Sequence, residues 1–182
     1  MSADNNPFHL LNPKGNVEWF TPEKYVEAAR QVMGSIDLDP ASNATAQLRI
    51  RAERYFTEAE DGLSQEWWGN VWLNPPYGRI RNRGNRSSVD IWSRKLLDEY
   101  LVGRVKQAVL LLTPRHSERT TINHLMSRFA VCLTDHRIDF TSLEGVSQGN
   151  PSGNNMFLYL GNRVTEFKNI FSQFGAILQG MN

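Results

Sequence analysis

Asn74, Pro75, Pro76 and Tyr77 stand consecutively in this 182-residue chain. Chance would place that tetrapeptide in roughly one chain of this size in two thousand, given ordinary residue usage. Its chemistry suits a planar amine or amide, whose nitrogen is a poor nucleophile because its lone pair is delocalised. Two acceptors bonded to its two hydrogens pull the nitrogen toward a tetrahedral shape and aim the lone pair outward. Asn74 supplies a side-chain carbonyl, and Pro75 a backbone carbonyl without an N–H. Adjacent prolines hold the turn extended and stiff, and Tyr77 offers a flat face for stacking. The plainer alternative is a rigid turn that ends a strand.

The surrounding elements must hold that turn. Asn70–Leu73 reads as the strand that delivers it, and open α/β sheets place ligands at such carboxyl ends. Thr21-Pro22-Glu23 reads as a helix start with Thr21 as N-cap and Pro22 at the first helical position. An apolar face follows (Tyr25, Val26, Ala29, Val32), and Gly34 closes that helix. Ile36–Asp39 is a short alternating strand stopped by Pro40. Ala44–Ala52 favours helix and Tyr55–Thr57 a strand. Residues 78–90 read as a polar, Arg-rich insertion loop and Asp90–Val102 as a helix. Ala108–Leu112 has the continuous apolar run of a strand buried on both faces. A helix over Thr120–Phe129, strands at Val131–Leu133 and Met156–Leu160, and a last helix over Val164–Leu178 complete the pattern. Alternating strands and helices predict an α/β fold, a mostly parallel sheet with helices on both faces. Residues 1–16 read as a flexible arm and 17–182 as a single domain.

Composition narrows the classes. Gly 13 and Pro 8 are too few for a fibrous or disordered chain. Lys+Arg 20 against Asp+Glu 19 gives a net charge of +1, so any nucleic-acid contact must come from a local basic patch. One cysteine, Cys132, and four His leave no basis for an internal disulfide or a cysteine-rich zinc site, and no metal is expected. No segment has the length of a membrane span, and residues 1–16 lack a secretory signal pattern. The expected compartment is a reducing cytoplasm.

Read outward from Asn74, the chain resembles the phage-type DNA N6-adenine methyltransferases, the Dam family. The matching stretches are Trp19-Phe20-Thr21-Pro22, Ile36-Asp37-Leu38-Asp39-Pro40-Ala41-Ser42, Asp61-Gly62-Leu63 and Trp68-Gly69-Asn70-Val71-Trp72-Leu73-Asn74-Pro75-Pro76-Tyr77. Arg137-Ile138-Asp139-Phe140 is similar to the family's late Arg-hydrophobe-x-Phe strand. The resemblance implies a Rossmann-like fold, S-adenosylmethionine as cofactor, double-stranded DNA as partner and methylation of adenine N6. It implies cofactor contacts from Trp19, Thr21, Asp37, Asp39, Pro40, Ala41 and Asp61, with Asp39-Pro40-Ala41 beside the methionine part and Asp61 at the cofactor's adenine. For a phage-encoded chain the compartment is the bacterial host's cytoplasm. Two departures stand out: Ser42-Asn43-Ala44 occupies the place of the glycine-rich loop, and the short interval from Asp39 to Asn74 excludes the usual pair of intervening βα units. The acidic residue for the ribose hydroxyls falls to Glu53 or Glu58.

Arg79, Arg81, Arg83 and Arg86 follow the turn without an intervening acid, and either grip DNA phosphates or form a solvated loop. Arg115-His116-Ser117 either meets DNA or caps a helix. Asn150–Asn155 either closes over the base or joins two strands. Trp68 is a candidate wall of the cofactor pocket, with the neighbouring tryptophans in the core. The alternatives to adenine methylation are cytosine N4, an RNA adenine or a protein glutamine as acceptor, or a catalytically inactive DNA-binding relative.

Overall fold

The computed structural model describes residues 20–80, 86–142, 146 and 153–180. The expected arm 1–16, Trp19, Arg81, Arg83 and Asn150 lie outside the described residues.

The chain runs α1 (Glu23–Met33), β1 (Leu38–Asp39), α2 (Ala44–Ile50), β2 (Arg54–Tyr55), a 3-10 turn (Glu58–Glu60) and β3 (Gly69–Leu73). It continues with β4 (Arg79–Ile80), β5 (Arg86–Ser87), α3 (Ser88–Leu101), β6 (Val105–Leu112) and a 3-10 turn (Pro114–His116). Last come α4 (Thr120–Arg128), β7 (Ala130–Thr134), β8 (Met156–Leu160), α5 (Val164–Phe171) and β9 (Gly175–Gln179).

Seven strands form one sheet in the order β2-β1-β3-β6-β8-β7-β9. The β1–β2, β1–β3 and β3–β6 ladders are parallel, while β8 pairs antiparallel with both β6 and β7, and β9 antiparallel with β7. Five strands therefore point one way and two run back, the mostly parallel α/β sheet that the alternating pattern predicts. Period-two alternation splits the core between the faces. Trp72, Val109, Leu111, Phe157 and Tyr159 pack with residues of α1 and α5, while Val71, Leu73, Leu110, Leu112 and Leu158 pack with residues of α3 and α4.

Topology locates the cleft. From β1 the chain crosses outward through α2 to β2, then returns to lay β3 on the other side of β1. The strand order reverses between β1 and β3, and there the carboxyl ends open a crevice. Asp39 ends one of those strands and Leu73, just before Asn74, ends the other.

Four local expectations are corrected. Helix α1 starts at Glu23, with Pro22 in the cap position and no side-chain cap; Thr21 turns toward Asn74 instead. Within 78–90, β4 and β5 form an antiparallel ribbon and α3 already starts at Ser88. Arg137–Phe140 forms no strand: buried Ile138 donates its N–H to Asn155 Oδ1 at 3.2 Å. The last helix ends at Phe171, and Gly175–Gln179 is an edge strand on β7. Phe167, Ile170, Phe171 and Phe174 keep helical spacing, so periodicity carries past the true end. A Cβ at Gly175 would lie 2.0 Å from the Leu133 carbonyl oxygen, a closeness that marks strand pairing.

Candidate active site

Two cavities open at the carboxyl ends of β1 and β3 and share a wall made by Ala41, Ser42, Asn43, Asn74 and Pro76. The larger, about 900 Å³, is further lined by Glu58, Asp61, Tyr77, Arg79, Ser88 and Trp92, among others. The smaller, about 320 Å³, is closed by Phe20, Thr21, Asp39 and Trp72. Both volumes are of the size of small-molecule sites.

Asn74 occupies the shared wall. Its amide nitrogen donates to Thr21 Oγ1 at 3.4 Å, which turns the carbonyl away from that hydroxyl. Oδ1 is buried and has no hydrogen-bond partner among the described residues. A buried acceptor without a donor costs about 1–3 kcal/mol, so a ligand that brings a donor to this atom would recover that cost. Pro75 is buried, while Pro76 and Tyr77 face outward, Tyr77 being 43% exposed. Desolvation pushes the Tyr77 phenol up to about 12, so the ring stays neutral.

On the β1 side, Asp39 is 2% exposed. Its Oδ1 accepts from the Ala41 N–H at 3.3 Å and its Oδ2 from Gln47 Nε2 at 3.1 Å. Burial nevertheless pushes the carboxyl up to about 6, against the bonds from Ser42, Ala41 and Gln47 that stabilise its charge. Gln47 ties the loop together, donating also to Ser42 Oγ at 2.8 Å and accepting from the Ala52 N–H at 2.9 Å. Asn43 caps α2 through the Ala46 N–H at 2.8 Å. Asp61 sits at φ 47, in the left-handed region, and accepts from the Leu63 N–H at 3.3 Å. Gly62 presses on the Pro40 carbonyl so closely that a Cβ would lie 2.0 Å from it, and its own carbonyl accepts from buried Trp67 Nε1 at 2.7 Å.

The sequence-expected residues divide by position. Thr21, Asp39, Pro40, Ala41, Asp61, Asn74, Pro76, Tyr77 and Arg79 line one or both cavities. Asp37 does not: its carboxylate accepts from Ser35 Oγ at 2.6 Å and from the Asn70 N–H at 2.8 Å, at the amino end of the parallel β1–β3 pair. It fixes strand register at the end of the sheet away from the cleft. Trp68 is 38% exposed and lines neither cavity, whereas Trp67 and Trp72 are fully buried and Trp72 backs the smaller one. Of the two acidic candidates, Glu58 reaches the larger cavity and Glu53 does not. Arg115 is exposed in the turn after β6; the backbone of Arg86 lies in β5.

Trp92 was not foreseen. It lines the larger cavity with its indole nitrogen buried and unpartnered among the described residues. In sequence it is one apolar position of a helix, and only the crossover from β3 carries it to the cleft. The ring contact between Tyr77 and His116, with centroids 5.5 Å apart and an interplanar angle of 30°, was equally hidden.

No described helix is long and apolar enough to cross a membrane. No solved structure matches the chain. Over 64 residues the chain is 33% identical to a DNA N-6-adenine-methyltransferase of Escherichia phage T1, an alignment covering 34% of this chain and 25% of that protein. The chain thus matches about a quarter of the length of that relative. A family model described as DNA N-6-adenine-methyltransferase (Dam) matches residues 10–173, nearly the whole sequence. The cleft of Asn74, Asp39 and Asp61 therefore sits in a chain that belongs to the DNA N-6-adenine-methyltransferase (Dam) family.

Proposed function

We propose that this chain transfers a methyl group from S-adenosylmethionine to N6 of an adenine extruded from double-stranded DNA. The observation that carries the reading is Asn74 Oδ1, a buried acceptor without a donor on the wall between two cavities. An adenine N6–H is the donor that it fits.

The residues present suit the cofactor. Asp39, Pro40 and Ala41 would hold its methionine part, Asp61 its adenine amino group, and Glu58 its ribose hydroxyls; carboxylates accept from all such groups. Bound there, the cofactor supplies an electrophilic methyl carbon on a sulfonium.

Everything else falls to the chain. Asn74 Oδ1 accepts one N6–H, and the Pro75 carbonyl accepts the other, which turns the nitrogen lone pair outward. Tyr77 stacks on the purine, whose extrusion from the duplex costs a few kcal/mol. Catalysis is mostly alignment: the methylated nitrogen is acidic enough to lose its proton to water, so no strong base is needed. Arg79 and Arg86, in the ribbon strands next to the cleft, and Arg81 and Arg83 between them in sequence grip the phosphates beside the target, with Arg115 in the turn after β6 as a further contact.

The test is mass spectrometry of digested DNA after incubation with the chain and the cofactor. N6-methyladenine in a random duplex, with none in an adenine-free duplex, is expected. Methyl groups on cytosine, on RNA or on protein glutamine, or cofactor binding without transfer, would overturn the assignment.

A further inference from the structure

We propose that His116 is a positioning residue that orders the Tyr77 ring for base stacking, a role resting on the methylation reading above. Three observations converge. The imidazole lies 5.5 Å from the Tyr77 ring at 30°. Tyr77 lines the larger cavity and His116 lines neither, so the imidazole meets the ring without itself forming part of the cavity wall. His116 is itself fixed by the turn after β6, where its N–H donates to the Thr113 carbonyl at 3.1 Å and its carbonyl accepts from the Arg119 N–H at 2.9 Å.

The contact answers a mechanical problem. Tyr77 is 43% exposed and follows two prolines, so its backbone is stiff, and among the described residues His116 is the aromatic ring in contact with its side chain. A ring that must be immobilised when the base arrives loses part of its stacking free energy to lost rotamer freedom. A second ring held in the turn after β6, the strand beside β3 in the sheet, removes that loss in advance. Aromatic pairs at this separation attract one another beyond the area they bury, so the contact limits the rotation of the Tyr77 ring. Burial and the guanidinium groups of Arg115 and Arg119 hold the imidazole pKa below its ordinary value, so the stacking partner is a neutral ring. Its Nε2 is buried without a partner among the described residues, so exchange for phenylalanine keeps the ring and breaks no hydrogen bond at that atom.

The test uses the full chain in two arms. In the first, the protein is labelled with ring-fluorinated tyrosine and the Tyr77 resonance is assigned by loss of signal in Tyr77→Phe. His116→Ala is expected to shift and broaden that resonance, and His116→Phe to restore it. In the second arm, His116→Ala raises the KM for duplex DNA about 2- to 12-fold, the range expected for one aromatic pair. The KM for the cofactor stays unchanged, and His116→Phe recovers the DNA KM. A Tyr77 resonance indifferent to His116→Ala would overturn the proposal. So would a phenylalanine variant no better than alanine in either arm. If the wild-type chain methylated no DNA, the reaction would fall, while the fluorine arm would still decide whether His116 orders Tyr77.

Discussion

Replacing Asn74 with alanine separates a catalytic acceptor from a structural one, because the two roles move stability in opposite directions. The substitution removes the Oδ1 that is buried without a donor, relieving about 1–3 kcal/mol of desolvation cost. It also removes the 3.4 Å bond from the amide nitrogen to Thr21, a long bond worth at most about 0.5–1.5 kcal/mol. The remainder runs from about 0.5 kcal/mol of destabilisation to about 2.5 kcal/mol of stabilisation before the small void is counted. A domain of this size shifts by about 2–4 °C in Tm per kcal/mol, so the melting curve should hold its place or move up. Turnover should move far more. Loss of one preoriented hydrogen-bonding group at a reacting centre costs about 10²–10³ in kcat. The assay pairs calorimetry with single-turnover methyl transfer to duplex DNA. A variant that melts many degrees lower, or that keeps turnover within about threefold of wild type, would refute the reasoning. Thr21→Val should cost less than Asn74→Ala, since it frees the amide to rotate without removing the acceptor.

Tyr77→Ala should weaken binding of extruded-base DNA by about 1–3 kcal/mol, with Tyr77→Phe milder, as measured by titration with an abasic-paired duplex. Because burial lifts Asp39 from 3.8 to about 6, the fold binds a proton between those values that the unfolded chain has released. Stability should therefore decline by up to about 3 kcal/mol as pH rises through that window and level off above it; Asp39→Asn should flatten the profile. A cationic cofactor favours the charged carboxyl, so its affinity should climb as pH rises through 6, and calorimetry showing a flat profile would exclude the contact. Replacing Arg79, Arg81, Arg83 and Arg86 by glutamine should lower the log K against log salt slope for DNA by up to about 0.9 per lost phosphate contact; an unchanged slope would make the ribbon a bystander.

The centre of the sheet was readable because its strands are buried on both faces. Met156–Leu160 and Val105–Leu112 carry apolar side chains through their cores, and such runs end sharply. The Asn74–Tyr77 turn was readable because prolines restrict the backbone whatever surrounds them. Long-range pairing was less visible. Gly175–Gln179 becomes a strand only because the β7 edge lies open beside it, and nothing local competes with the helical spacing of the phenylalanines before it. Thr21 was ambiguous for a similar reason: the same hydroxyl suits a cap or a partner, and only the return of β3 brings Asn74 within reach. Asp37 was misplaced by two residues' worth of strand, enough to carry its carboxylate from the cleft to the far end of the sheet.

The missing glycine-rich loop after Asp39 raises a question of approach, since such loops let backbone close on a ligand. Here close approach occurs one segment later. Gly62 abuts the Pro40 carbonyl, with Trp92 on its other flank at 3.1 Å from the same hypothetical Cβ. That contact pulls Asp61, at φ 47, onto the rim next to Asp39-Pro40-Ala41, and so closes the larger cavity within a short interval of chain. The compression is affordable because α2 and β2 supply the single crossover between β1 and β3. Gly62→Ala tests it, since the neighbours of the new Cβ are the Pro40 backbone and the packed Trp92 indole, which cannot both yield. The substitution should cost about 1–3 kcal/mol or more, as overpacking does, and should weaken cofactor binding by displacing Asp61 even at temperatures where the fold persists. Binding by the variant at wild-type affinity, with an unchanged melting curve, would mean that the Pro40 and Asp61 segments are not held together by this contact and that the cofactor reading of Asp61 must be given up.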